Sequence, residues 1–509
     1  MRHFPSILMF FLIGSSVLPS FATNYYVSNA GSDTNSGLSL VEAYLTIQHA
    51  ADFVNAGDTV FVENGTYVGF DVRDVNGTAG SPIVFKGLGS NVLINQSGPV
   101  RNDGINIENA DYIVIDGFYS NNMPGNGNGI RVVISDHCVV RNCVCDNNAE
   151  RGIFTGFTDD ILIEYNICTN SIDEHGIYVS NSSDRPIIRF NECYGNNAIG
   201  IHLNADASLG GDGIISDAQI YGNIIHDNNR AAGINMDGLE NPVVYNNLIY
   251  NNHFAQGIAL FQQDGAIVTN GAKIYNNTII VPSDGRWGIH LTDGANVKTE
   301  IYNNIIINQH AWRGCITVEA IAQMKSDYNI LNDKMSDMGD GGTIAFSEWQ
   351  TLGFDTHSQI ADPLPSIFMD PAANDYQLAD ESQAIDAGTN LVSTIVMVDL
   401  DGVTRPSGMG YDIGAFERTI TTQIKQVGIT ELGIIIAPNP VQHQFTISGN
   451  GDAYDIQILN IKGQCISQIK NQTLPYTFDS SQWQNGHYTI KIEDKTSHQT
   501  GVGTVLKVD

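Results

Sequence analysis

Positive charge is what this chain has least of. Lys and Arg number 24 against 55 Asp and Glu, a net charge of −31, which argues against nucleic acid or an anionic membrane surface as partner. A polyanionic glycan would need a local Arg/His patch, or bound Ca²⁺, to be held. Charged residues of both signs reach only 16%, so long surface helices, whose solvated faces need Lys and Glu, are not expected. Cysteine is sparse and odd in number, seven in all, so not all can pair. Cys143, Cys145, Cys168 and Cys193 fall inside repeats and are expected as buried thiols. No His/Cys spacing matches a zinc motif. After residue 22, no apolar stretch is long enough to span a bilayer.

What is present begins with a processing signal. Arg2 and His3 give a positive start, Ile7 to Leu18 is apolar, and Ser20-Phe21-Ala22 is a small-x-small cleavage site, so residues 1–22 read as a removable signal peptide. The middle of the chain repeats itself. Aligned on one asparagine, it reads Arg-Asn142-Cys-Val, Tyr-Asn166-Ile-Cys, Phe-Asn191-Glu-Cys and Gly-Asn223-Ile-Ile, then continues through Asn247, Asn277, Asn304 and Asn329. The steps are 24, 25, 32, 24, 30, 27 and 25 residues, a solenoid period.

Each repeat holds short alternating runs separated by Asn/Asp/Gly turns, without helical periodicity. Three short strands per turn, stacked coil on coil, predict an all-β fold: a right-handed parallel β-helix. The asparagines suit an interior ladder in which side-chain amides bond the backbone and each other. Thr46 to Val54 reads as a short amphipathic helix capping the first coil, which spares an open strand edge. Coils are expected from about Asp58 to about Asn332, and residues 333–420 lose the period and wrap or close the far end. The β-helix domain is thus 23–420, with 421–430 a linker. Residues 431–509 alternate as antiparallel strands and predict a small β-sandwich.

Three local patterns carry a resemblance. Tyr25-Tyr26-Val27-Ser28, Gly31-Ser32-Asp33 and Thr46-Ile47-Gln48 resemble the start of secreted pectate-lyase-like β-helix proteins, although Ala43-Tyr44 stands where many carry a Pro-aromatic pair. Ala384-Ile385-Asp386-Ala387-Gly388 and Tyr411 to Glu417 resemble the segment closing many of those helices. Pro438-Asn439-Pro440, Ile461-Lys462-Gly463 and Gly486-His487-Tyr488 resemble a type IX secretion sorting domain. That resemblance implies export by the type IX machinery to the cell surface or medium. The first two imply fold far more than substrate.

Stacking lets coils be compared position by position. Each has a Gly-Ile-type run at Gly129, Gly152, Gly176, Gly200, Gly233, Gly257, Gly288 or Gly314, and alternation points the residue after the apolar one outward. The outward column is then Arg131, Phe154, Tyr178, His202, Asn235, Ala259, His290, Thr317. Two residues on, a second column includes Ser180, Asn204 and Asp237. Adjacent coils sit roughly 4.8 Å apart, which gathers Glu174, His175, Tyr178, His202, Asn204, Asn235 and Asp237 into one patch.

β-Elimination of a uronic-acid glycan needs a base, a proton donor for the leaving oxygen, and a donor or cation on the carboxylate. On that expectation His202 is the base, Tyr178 or His175 the acid, Asn204 and Asn235 the carboxylate holders, and Arg230 and Arg286 grip neighbouring sugars. Trp287 is a stacking platform or a loop cover, and His290 continues the column. Glycoside hydrolysis would instead use Glu174 and Asp237 as an inverting pair. Asp173-Glu174-His175 faintly resembles the Asp-Pro-His of β-helix uronate epimerases, without its proline. A non-catalytic glycan-binding adhesin, acting as a monomer, is the other class. No metal ligand set emerges, and Ca²⁺ is the one cofactor this chemistry would call on.

Overall fold

The alternating runs form short strands, and each pairs in parallel with its equivalent one repeat further on. The computed structural model describes residues 22–320, 323–339, 342–419, 432–449, 453–495 and 499–508, with the backbone of Gln426–Gly428. Nearly all of the expected signal peptide, and most of the 421–430 linker, lie outside the described residues. The chain divides into two compact units, Met1–Thr419 and Ile420–Asp509.

Three parallel sheets build the first unit. Sheet 1 has twelve strands, from Asn24–Val27 to Lys325–Asp327. Sheet 2 also has twelve, from Gly65–Val68 to Gln359–Ile360. Sheet 3 has ten, from Phe70–Arg73 to Ile316–Val318. The solenoid therefore starts earlier than the period suggested: Asn24–Val27 is already a rung, paired with Thr59–Val62. Inward residues stack as fully buried columns, among them Ile153, Ile177, Ile201 and Ile234. Each glycine before these isoleucines lies so close to the next coil that a Cβ would meet a backbone carbonyl, at 2.6 Å for Gly152 and 2.7 Å for Gly176. Only glycine fits there. Cys145, Cys168 and Cys193 stack in register inside. Six of the seven cysteines are buried thiols and none forms a disulfide; burial pushes Cys143 up to about 12.

The asparagine ladder is real but shifted by one residue at its start. Asn191 Nδ2 donates to Asn223 Oδ1 at 3.0 Å, Asn223 to Asn247 at 3.0 Å, and Asn247 to Asn277 at 2.9 Å. The same oxygens accept backbone N–H groups. The ladder runs Asn166 to Asn329, and its head is Cys143, whose N–H donates to Asn166 Oδ1. Asn142 sits one position earlier, exposed, at φ 54°, with its amide on Asp116. A second ladder, through Asn196, Asn228 and Asn252, lines the other bend of sheet 2.

Both ends are covered. The helix Ile47–Ala51, capped by Thr46, buries Ile47, Ala50 and Ala51 over the first coil. Gln48 bonds both the N–H and the C=O of Asp71, standing in for the missing neighbour of the first sheet 3 strand. At the far end Phe346, Trp349 and Phe354 plug the core, and Trp349 donates to the buried Asp355 at 2.7 Å.

The segment after residue 360 does not extend the plug. It wraps back along the outside, packing Ile367, Phe368, Tyr376, Ile413 and Phe416 on the outward residues Leu248, Tyr250, Ile280 and Ile307. Asn246, Asn276 and Asn303 hold it through its backbone at Val398, Asp412 and Thr389.

The second unit packs a five-stranded and a three-stranded sheet around one core. Phe445 and Ile447 meet Ile456, Ile458, Ile490 and Ile492. Each strand's alternating burial follows from having one dry face.

Candidate active site

Sheet 3 carries the outward column in the register expected. Arg131 pairs with Phe154, Phe154 with Tyr178, Tyr178 with His202, His202 with Asn235 and Asn235 with Ala259. Ser180, Asn204, Asp237 and Phe261 form the second column.

The side chains at its centre pack into one hydrogen-bonded group. The rings of Tyr178 and His202 stack at 4.7 Å and 13°, and His175 meets His202 edge-on at 4.7 Å. His175 Nδ1 accepts the Ile199 N–H at 3.2 Å, so its own proton sits on Nε2. That Nε2 lies 3.1 Å from His202 Nδ1 and donates to it. The His202 proton is thereby placed on Nε2, an atom sealed from solvent with no protein partner. Burial, aided by Arg151, pulls His202 down to about 3; burial and the His202 charge push His175 well below the ordinary imidazole range. Both rings are neutral at neutral pH. Their arrangement makes His202 a hydrogen-bond donor, since its only lone pair is occupied.

Around them, Asn204 Nδ2 donates to Tyr178 Oη at 3.1 Å and to Asp264 Oδ2 at 3.0 Å. Burial raises the Tyr178 hydroxyl above its ordinary value, so it keeps its proton. Asn235, beside His202, makes no side-chain hydrogen bond among the described residues. Arg151, outside the expected set, binds Glu150 at 2.8 Å and Glu174, and lies 5.0 Å from the Tyr178 ring centre. Its position just before Gly152 was legible, but nothing in the sequence gave its partners.

The remaining candidates stand apart or are otherwise engaged. Both Asp237 oxygens accept backbone N–H groups of Gln263, Asp264 and Gly265 at 2.9–3.2 Å. Asp237 anchors the long loop of that coil, and its carboxylate is spent there. Arg230 is exposed at the rim, close enough for its charge to act on His175. Trp287 is 5% exposed, with the guanidinium carbons of Arg286 and Arg313 4.7 and 5.2 Å from its ring. Its ring is thus covered by cations, and the accessible indole nearby is Trp312, 47% exposed. His290 packs on Trp287 between Gln256 and Glu319, beyond the group around His202. Among the described residues no three His, Cys, Asp or Glu side chains are grouped to hold a metal ion, and no helix is long and apolar enough to cross a membrane.

Comparison with known proteins agrees with this architecture. Residues 52–259 match the family described as periplasmic copper-binding protein (NosD), and residues 435–502 match the secretion system C-terminal sorting domain. The crystal structure of pectate lyase Pel9A superposes with a TM-score of 0.56 at 17% identity, covering 79% of this chain and 97% of that one. The complex of XylC with xylose gives 0.48 at 10% identity over 78% and 99%. A rhamnogalacturonan lyase gives 0.47 at 13% over 68% and 91%. No curated protein sequence matches.

The fold of this chain is therefore a parallel β-helix like that of pectate lyase Pel9A, with residues 52–259 similar to the NosD family. Its C-terminal sorting domain marks it as a type IX cargo, exported to the cell surface or beyond.

Proposed function

We propose that this protein acts on an extracellular uronic-acid polysaccharide, cleaving it by β-elimination on the outward face of sheet 3. The observation that carries this reading is the Tyr178–His202–His175 group, three proton-carrying rings packed together beside Arg151 and Asn235.

The geometry redistributes the expected roles. Tyr178, with its hydroxyl bonded by Asn204 and its proton retained, gives that proton to the substrate's leaving glycosidic oxygen as the C4–O bond breaks. The Asn235 amide meets the uronate carboxylate, whose charge grows as the C5 proton departs, while the sealed His202–His175 pair backs the Tyr178 ring. Glu174, paired with Arg151 through one oxygen only, accepts that proton. Elimination fits better than inverting hydrolysis, because Asp237 is buried with both oxygens on loop N–H groups, away from where a water would be activated. A glycan-binding surface protein is the second reading, favoured by one observation: both imidazoles are held neutral and bonded to each other.

The test is to incubate the secreted protein with alginate, pectate and glycosaminoglycans. Elimination leaves an unsaturated uronate absorbing at about 235 nm, and Tyr178→Phe should abolish that signal while leaving glycan binding in place. New reducing ends without absorbance would replace the reaction with hydrolysis. Binding without any product would move the protein to the second reading.

A further inference from the structure

Just below Tyr178 along the helix axis, sheet 3 borders a cleft of about 450 Å³, within the size range of small-ligand sites. Its walls are Arg101, Arg131, Arg151, Asp103, Asn128 and Phe154, among others. Its charged walls are three arginines against Asp103 and Glu150, with Arg151 paired to Glu150 and Glu174, a net positive lining in a chain of net charge −31. Arg73, Arg101 and Arg131 all converge on the single carboxylate of Glu108, at 3.3, 3.1 and 2.8 Å. Burial would raise that carboxyl, yet Arg131 and Arg101 hold it below its ordinary value. Asp103 is the other carboxyl whose charge acts on Arg101 and Arg131.

Polar capacity is left over around the cleft. Arg131 spends only Nη1, on Asn106 and Glu108. Arg151 Nε is sealed without a partner, and so is Asn128 Oδ1, whose amide nitrogen is taken by Asp103 at 2.7 Å. Burial raises the Asp103 carboxyl. Phe154 adds an apolar wall, pairing in register with Tyr178 on the next coil, roughly 4.8 Å away.

We propose that this cleft is a binding subsite for a carboxylated sugar unit, adjacent to the Tyr178 centre. The unspent guanidinium nitrogens of Arg131 meet the carboxylate, and Phe154 covers the C–H face of the ring. The inference rests on the reading of sheet 3 as a glycan-binding face and adds what that face selects: a charged unit, held one coil away from the bond that breaks.

The test uses the secreted protein and trisaccharides of galacturonate, guluronate and glucuronate, each beside its methyl ester, by titration calorimetry. The ester keeps the sugar and removes the charge. At least one acid trimer should bind about tenfold or more tightly than its ester, as a charge-assisted bond implies. Arg131→Gln should bring the two close to equality, and Asn126→Trp, at the rim, should weaken both. Should Arg131→Gln fail to fold, the more exposed Arg101→Gln takes its place, with a smaller loss of preference expected.

Equal binding of acid and ester, a preference that survives these arginine changes, or no binding by any trimer would each overturn the subsite. Absorbance on polymer is read in parallel. Elimination without carboxylate preference removes the subsite alone; preference without elimination removes the reaction and keeps the subsite.

Discussion

Replacing Asn247 by Ala tests the interior ladder directly. Asn247 Oδ1 accepts both the backbone N–H and the Nδ2–H of Asn223, each at 3.0 Å, and its own Nδ2 donates to Ile220 O, Tyr245 O and Asn277 Oδ1. All three asparagines are buried, so truncation strands the Asn223 backbone N–H where water does not reach and takes the amide donor from Ile220 O and Tyr245 O, while Asn223 Nδ2 keeps Ile188 O and Tyr221 O. At about 1–3 kcal/mol for each buried group left unpaired, plus a small cavity, the loss should be about 3 kcal/mol or more. Asn142→Gly is the matched control, since alignment by sequence places Asn142 in the same ladder. The structure puts it at an exposed left-handed corner with one bond to Asp116, and glycine keeps that backbone. Its cost should stay within about 1 kcal/mol. Urea unfolding followed by circular dichroism gives both numbers, and hydrogen exchange on peptides spanning Asn223 and Asn247 localises the first. Similar losses for the two variants, or a loss below about 1 kcal/mol for Asn247→Ala, would refute the ladder's energetic role.

Acid should destabilise the β-helix through its histidines. The unfolded chain takes up protons below about 6.5 that the buried His175–His202 pair refuses, so stability is intact above that pH and falls as pH drops toward 3; His202→Gln should flatten the slope of melting temperature against pH in this window. Asp412 works in the opposite direction. Burial raises it from 3.8 to about 6, so its contribution is present below 3.8 and lost as pH rises through 6, and Asp412→Asn should reduce that loss with rising pH in the same melting series. Trp349→Phe removes one donor from the buried Asp355 and should cost about 1.5–3 kcal/mol, measured by urea unfolding.

The scaffold was legible because a stack repeats its own test. One misread coil would break a column, and the glycine-led column from Arg131 to Thr317 matches the pairing throughout. Chemistry at that column was legible only as neighbourhood. Which His202 nitrogen carries the proton depends on the backbone N–H of Ile199, a loop contact without periodicity. Asp237 looked like an acid because its loop partners are backbone groups that no side-chain pattern reveals. Trp287 looked like a platform until the guanidinium of Arg313, one coil on, was seen over its ring. The ladder slip at Asn142 arose because asparagine suits two adjacent positions for different reasons: one bends the chain outside, the next bonds inside.

That adjacency has an architectural consequence. Where the outer member is also asparagine, as in Asn246-Asn247, Asn276-Asn277 and Asn303-Asn304, it clamps the returning segment, whereas Tyr165, Phe190 and Gly222 occupy the outer position in earlier coils. The downstream half is therefore indexed: the strap fixes how many coils lie between its clamps, and a coil gained or lost there would misalign every later clamp. The upstream half, which bears Tyr178 and the arginine cleft, has no such index. Whole coils added or deleted there leave both ladders continuous, so the length of the outward sheet 3 face is free to vary while the strapped half keeps its count.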